Sequence, residues 1–170
     1  LALEQRVGSR PTELEGQRRE LDLVVVGAGP SGIASAIYSA RKGLRVAVVA
    51  ERIGGQVNET TGIENIPSVP STTGTQLAAD LRRHAEQYGI ALLDSRQVTS
   101  IELVDSMKEV KTSLSETLVA PQVILATGAS WCKLGVPGEA EYIGRGVAFC
   151  PHCDGPFFKG KDIAVIGGGN

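Results

Sequence analysis

Two cysteines separated by two residues, Cys150 and Cys153, stand late in the sequence, with Asp154 directly after the second. Sulfurs at that spacing can close a small disulfide ring, and its dithiol form can carry two electrons. The neighbouring carboxylate offers a proton donor and acceptor, and Pro151 stiffens the turn between the sulfurs. Three chemistries compete for such a pair. Structural zinc needs four ligands, usually as two such pairs. Beyond this pair only Cys132, His84 and His152 offer sulfur or nitrogen, in no ligand-like spacing, so no metal is expected. A purely structural disulfide suits secreted chains, and the first residues carry charges every few positions and no signal-like apolar core. A redox-active dithiol is the reading that remains. It needs an electron source.

That source is expected far upstream. Leu21 to Val26 is a short Val-rich run of the kind that forms a buried parallel strand. It ends in Gly27-Ala28-Gly29-Pro30-Ser31-Gly32, followed by a helical pattern over Ile33 to Arg41, a stop at Gly43, and a second apolar run from Arg45 to Ala50 closed by Glu51. Strand, Gly-x-Gly-x-x-Gly, helix, strand and acid in that order make the dinucleotide fold. Gly27 allows the tight turn, Gly29 lets a pyrophosphate approach the backbone, and Gly32 lets helix and strand pack closely. The helix N-terminus supplies free N–H groups and a positive dipole end to the phosphates. Glu51 stands about 20 residues beyond the last glycine, the spacing for gripping ribose hydroxyls.

The remaining elements must bring these two sites together. Arg52 to Gln56 and Gly62 to Pro67 read as a long loop with little regular structure, where Gly54 and Gly55 permit close backbone approach; lining a flavin is one job for it. Gly74 to Tyr88 reads as a helix with Leu77, Ala78, Leu81 and Ala85 on one face, capped by Gly89, leaving His84 on its surface. Ile90 to Leu93 is a strand, and Gln97 to Val119 an antiparallel meander acting as a flap. Pro121 to Ala126 is another buried strand, and Thr127-Gly128-Ala129 turns the chain back towards the cofactor. Trp131 to Gly146 is a connector in which Trp131 and Cys132 pack. Lys161 to Ile166 reads as a fresh strand running into Gly167-Gly168-Gly169-Asn170, the start of a second nucleotide loop. Leu1 to Glu20 reads as a solvated linker or tail.

Composition agrees with such a chain and excludes other classes. The 170 residues are 42% hydrophobic and 21% charged, too apolar for disorder. A net charge of −2 with interspersed signs gives no case for nucleic acid or an anionic membrane surface. No apolar run approaches the roughly 20 residues of a spanning helix, so a cytoplasmic enzyme or enzyme fragment is expected. The 21 glycines suit phosphate loops, and three cysteines exclude a full disulfide framework.

Gly27 to Gly32, Gly54-Gly55-Gln56, Ala126-Thr127-Gly128 and the C-x-x-C-D motif followed by Gly-Pro-Phe-Phe-Lys-Gly together resemble the thioredoxin reductase family of flavoproteins. Within it, Ala50 to Gln56, Gly62 to Asn65 and Cys150 to Pro156 are most similar to the F-subunit branch of the alkyl hydroperoxide reductases. The resemblance runs from about Leu21 to Asn170. It implies FAD in the first fold and NADH or NADPH in the second. It implies that Cys153 faces the flavin, that Cys150 exchanges with an outside disulfide, and that Asp154 handles the proton. Gly27, Gly29, Pro30, Ser31, Gly32, Glu51, Arg52, Gly55, Gln56, Asn65, Thr127 and Gly128 would hold FAD, and Gly167 and Gly169 the nicotinamide nucleotide. The acceptor would be a peroxiredoxin or thioredoxin-like disulfide, and the full-length form a homodimer.

The fold expected is therefore α/β: a three-layer, Rossmann-like FAD-binding domain over 21–130, after a linker over 1–20. The start of an NAD(P)-binding domain carrying the dithiol would occupy 131–170, both ends of the sequence being read as cuts. Two departures from the family pattern stand out. The F-subunit branch carries a thioredoxin-like domain ahead of its flavin domain, and the family returns to its FAD fold after the nicotinamide domain. On that reading the chain by itself would hold FAD poorly and leave NAD(P)H unoxidised. A flavin-binding module without turnover, thioredoxin reductase proper, and a redox-inactive relative are the competing functions; the intact C-x-x-C argues against the last.

Overall fold

A computed structural model describes residues 18–167, with His152 and Cys153 described in their backbone only. The strands are β1 (Arg18–Glu20), β2 (Leu23–Val26), β3 (Val46–Val49), β4 (Ala91–Leu93), β5 (Val98–Val104), β6 (Met107–Thr112), β7 (Thr117–Ala120) and β8 (Gln122–Leu125). The helices are α1 (Pro30–Ala40), α2 (Gly74–Glu86) and two single turns, α3 (Glu139–Tyr142) and α4 (Pro151–Asp154).

The strands form two four-stranded sheets. One is wholly parallel, in the order β4-β3-β2-β8, with Leu23 opposite both Val46 and Gln122. Every residue of β2 and β3 is buried, as continuous Val-rich runs require when both faces of a strand are covered. Alternation then divides those residues between two cores. Leu23, Val25, Val46 and Val48 pack with Ile33, Ala36 and Ile37 of α1 and Ala85 of α2. Val24, Val26, Ala47 and Val49 pack with Val110, Leu118 and Ala120 of the second sheet. Helices, parallel sheet and second sheet are thus three layers, as expected.

The second sheet runs β1-β7-β6-β5, and its β5–β6–β7 portion is the antiparallel meander read from the sequence. Its first strand is a correction. Arg18–Glu20, assigned to the solvated linker, forms β1 and pairs in parallel with β7. The strand lacks an apolar alternation because ion pairs serve its side chains: Arg18 meets Glu109 at 2.8 Å and Arg19 meets Glu116 at 3.1 Å. Residues 1–17 of that expected linker lie outside the described residues.

Three other expectations change. The strand within Pro121 to Ala126, read as buried, is the edge strand β8, with Gln122 and Leu125 exposed because no strand covers its outer side among the described residues. The loop after β3 contains a 3₁₀ turn over Gly55–Glu59, entered through Gly54 at φ 87°. Lys161 to Ile166 forms no strand, and Ile163, Val165 and Ile166 are 67%, 79% and 71% exposed. An apolar run becomes a parallel strand only where neighbours take its backbone hydrogen bonds and cover its faces. Among the described residues no strand runs beside this one.

Candidate cofactor and disulfide site

The parallel sheet fixes where a ligand can sit. From β2 the chain moves outward through β3 to β4, then returns to the other side of β2 as β8. The strand order reverses between β2 and β8, and crevices outside the C-terminal ends of strands at such a point bind ligands. Three segments leave the sheet there: Gly27–Gly32 after β2, Glu51 after β3, and Thr127–Gly128 after β8. Ala126 N–H donates to the Val26 carbonyl at 2.8 Å, which holds the first and third together.

The glycines of the first turn differ in what constrains them. Gly27 has φ 106°, and a Cβ there would fall 2.1 Å from the Ala126 carbonyl oxygen. A Cβ on Gly32 would fall 2.0 Å from the Gly27 oxygen. Packing alone demands glycine at both positions. Gly29 is different: its φ of −72° suits any residue, and a Cβ would meet nothing nearer than the Gly54 oxygen at 4.0 Å. Gly29 is also the N-cap of α1, whose first turn has no side-chain cap and no acidic residue. Bare N–H groups beneath open space make a phosphate cradle.

The 52–59 loop is fastened across this turn. Gly54 N–H donates to the Ala28 carbonyl at 2.8 Å. Asn58 Nδ2 donates to the carbonyls of Ile53 at 2.8 Å and Gly55 at 3.0 Å. Arg52 pairs with Glu59 at 2.9 Å on the exposed side. Asn58 and Glu59 were not singled out from the sequence; their work is local to one loop and leaves no periodic or motif signal.

A cleft of about 540 Å³ opens beside α1 and joins the two halves of the site. Pro30, Gln56 and Asn65 line it on the nucleotide side, and Trp131, Cys150 and Asp154 on the other. Cys150 is disulfide-bonded and half-buried. Cys132, expected to pack, is instead a free, exposed thiol. Asp154 N–H donates to the Cys150 carbonyl at 2.9 Å, the closing bond of α4. The side chain of Cys153 lies outside the described residues, as does Gly169. The segment leading from Cys150 crosses the loop after the 3₁₀ turn: Phe157 reaches within 3.3 Å of where a Gly62 Cβ would stand.

The cleft does not gather every candidate. Gly27, Gly29, Ser31, Gly32, Glu51, Arg52, Gly55, Thr127 and Gly128 lie outside its walls, with Ser31, Glu51, Arg52, Thr127 and Gly128 exposed. Gly167, exposed at φ 96°, also stands outside it. His84 is exposed on α2, as expected.

One buried carboxylate braces the connector. Glu139 accepts from the N–H groups of Leu134 at 2.9 Å and Gly135 at 2.7 Å. The Leu134 N–H bond chiefly holds its carboxyl below the usual range, against the effect of desolvation. Among the described residues no helix is long and apolar enough to cross a membrane.

A glycine turn at the switch point of a parallel sheet, with its Pro30 lining a cleft that Cys150 also lines, defines a Rossmann-like α/β protein. Comparison with known proteins agrees: the pattern of the pyridine nucleotide-disulphide oxidoreductases matches residues 21–170. The chain belongs to that family. It is 49% identical over 166 residues to the alkyl hydroperoxide reductase F subunit of Staphylococcus aureus strain NCTC 8325 / PS 47, covering 97% of this chain and 33% of that protein. It is 52% identical over 149 residues to the Staphylococcus epidermidis protein of the same name, covering 88% and 29%. The chain thus spans about a third of the length of these relatives. Among solved structures, thioredoxin reductase from Streptococcus pyogenes MGAS5005 superposes with a TM-score of 0.76 at 38% identity, covering 82% of this chain and 45% of that one. Thioredoxin reductase from Giardia duodenalis gives 0.75 at 32% identity, covering 81% and 45%.

Proposed function

We propose that this chain carries the FAD site and redox disulfide of an NAD(P)H-dependent disulfide reductase of the alkyl hydroperoxide reductase F type. The observation that carries the reading is the shared cleft, with Pro30, Gln56 and Asn65 facing Cys150 and Asp154. The residues around it fit a flavin dinucleotide. Gly29 leaves room no protein atom fills, the start of α1 is uncapped, and Glu51 stands exposed where β3 ends. Bound FAD would supply two-electron transfer between a nicotinamide nucleotide and a disulfide.

The protein's own residues have separate tasks. Gly29, Ser31 and Gly32 offer backbone N–H groups to the pyrophosphate, Glu51 accepts from ribose hydroxyls, and Thr127–Gly128 closes the sheet edge beside them. Gln56 and Asn65 wall the ring-binding side, and Arg52 and Gly55 stand beside it in the same loop. Cys150 and Cys153 form the disulfide. Two electrons and two protons open it to two thiols, with Asp154 relaying a proton to the departing sulfur. Cys150 thiolate then attacks the acceptor's disulfide, forming a mixed disulfide that Cys153 resolves. The acceptor would be a peroxiredoxin or a thioredoxin-like protein, and the full-length form a homodimer. The exposed Cys132 thiol suits a reducing, cytoplasmic setting. Residues 21–130 would be the FAD domain, and residues 131–170 would open the NAD(P) domain through Gly167 and Gly169.

Light-driven reduction of bound FAD by EDTA, followed by thiol alkylation, tests the reading. Two electrons delivered to flavin should appear as two new thiols, at Cys150 and Cys153. A gain of none sinks the redox role. A second reading, flavin binding without nicotinamide turnover, draws on Lys161 to Ile166, which forms no strand here. It predicts the same thiol gain on illumination and no absorbance loss with NADH or NADPH.

A further inference from the structure

We infer that Trp131 is a positioning residue for the disulfide: stacked on Phe149, its indole sets where Cys150 stands in the cleft. The inference rests on the reading of Cys150 as the exchanging sulfur, and its argument is geometric. The Trp131 and Phe149 rings lie 5.9 Å apart between centroids and 10° from parallel. Phe149 is the residue before Cys150, and both aromatic rings wall the same cleft as Cys150 and Asp154.

The backbone around Phe149 explains why a side chain must do this. Val147 is tied back by its N–H to the Tyr142 carbonyl at 2.9 Å and by a bridge to Ile143. The chain next becomes regular at α4, a single turn closed by Asp154 N–H on the Cys150 carbonyl. Ala148, Phe149 and Cys150 span these two anchors outside any helix or strand. Trp131 comes from a different segment, after β8, and is 41% exposed. An indole that were merely core filling would be covered on both faces. This one stacks on Phe149, lines the cleft and stays 41% exposed. Flat aromatic contact favours one arrangement of Phe149, and through the next peptide one placement of Cys150.

The test uses the full chain with W131L and F149L, which keep apolar bulk but remove the stack, and W131F, which keeps an aromatic face. Dithiothreitol opens the disulfide by exchange, giving two protein thiols and its own cyclic disulfide, so no cofactor is required. Loss of the stack should free the Cys150 segment and raise the reduction rate about two- to twelvefold, the population shift that such an aromatic contact supports. Electron delivery from photoreduced FAD to the same disulfide should fall by a similar factor. W131F should restore both rates, and thermal midpoints recorded in parallel should differ little among the variants. The opposite movement of the two rates separates positioning from general loosening, which would lower the midpoint and would not be rescued by Phe. Wild-type rates in both W131L and F149L, or failure of W131F to restore them, overturn the inference. A wild-type disulfide that reduced flavin cannot open refutes the underlying redox reading instead, whatever the Trp131 variants do with dithiothreitol.

Discussion

Alanine at Gly29 and at Gly32 should have opposite consequences, although the two glycines belong to one motif. A Cβ on Gly32 would stand 2.0 Å from the Gly27 carbonyl oxygen and 2.9 Å from its carbon. An ordinary carbon–oxygen contact lies more than an ångström further out than the first distance, and the obstacle is backbone, so α1 must lift from the turn after β2. Overpacking of this kind costs about 1–3 kcal/mol. For a chain of this size each kcal/mol lowers the unfolding midpoint by about 2–4 °C, so Gly32→Ala should lose roughly 2–12 °C. At Gly29 a Cβ meets nothing nearer than 4.0 Å and the backbone suits any residue, so Gly29→Ala should stay within about 0.5 kcal/mol of wild type. The new methyl would occupy the path of a phosphate to the α1 N-terminus. Losing one hydrogen bond to a charged group, about 1.5–3 kcal/mol, weakens FAD binding about 10- to 150-fold. Circular dichroism melts and titration of FAD by quenching of its emission, with wild type alongside, read the two effects. An unshifted midpoint in Gly32→Ala, or wild-type FAD affinity in Gly29→Ala, would refute the reasoning.

Other residues carry separate expectations. Asp154→Asn should keep flavin content and slow disulfide reduction by about 10²–10⁴, the usual contribution of a positioned acid; stopped-flow rates equal to wild type would rule out its proton role. Asn58→Ala removes two hydrogen bonds to the Ile53 and Gly55 carbonyls and should cost about 1–2 kcal/mol in denaturant titrations, with weaker FAD binding from the loosened loop. Glu116 is held below the ordinary carboxylate range, first by its bond from Arg96, with desolvation opposing and Arg19 and Thr112 assisting. Its folded-state value is therefore depressed, so its stabilisation is full above the ordinary value of about 4.3. That contribution is lost as pH falls through the folded value. Glu116→Gln should flatten the acid limb of the stability curve, and a wild-type slope below about pH 4 would contradict the assignment.

Much of this architecture was legible in the amino-acid sequence because it is written in local patterns. Unbroken Val runs announced β2 and β3, since a strand buried on both faces needs apolar residues at every position. The glycine spacing announced the turn, because backbone clashes at Gly27 and Gly32 tolerate nothing larger. The two-residue gap between Cys150 and Cys153 announced that Cys150 would be disulfide-bonded. What depends on distant segments was silent. Arg18–Glu20 carries no apolar alternation and becomes β1 only because β7 offers its backbone and Glu109 and Glu116 receive its arginines. Lys161 to Ile166 carries strand composition and forms no strand, because composition cannot supply neighbours. The loop after β3 became a fastened 3₁₀ turn through the two bonds of Asn58, a residue of no distinctive pattern. Trp131 and Phe149, 18 residues apart in sequence, meet only because the chain after β8 folds back on itself. The sequence alone determined which residues could carry electrons and which could receive phosphate. The tertiary structure decided that Pro30, Gln56 and Asn65 share one cleft with Cys150, since parallel strands paired across long crossovers bring together segments that no local period relates.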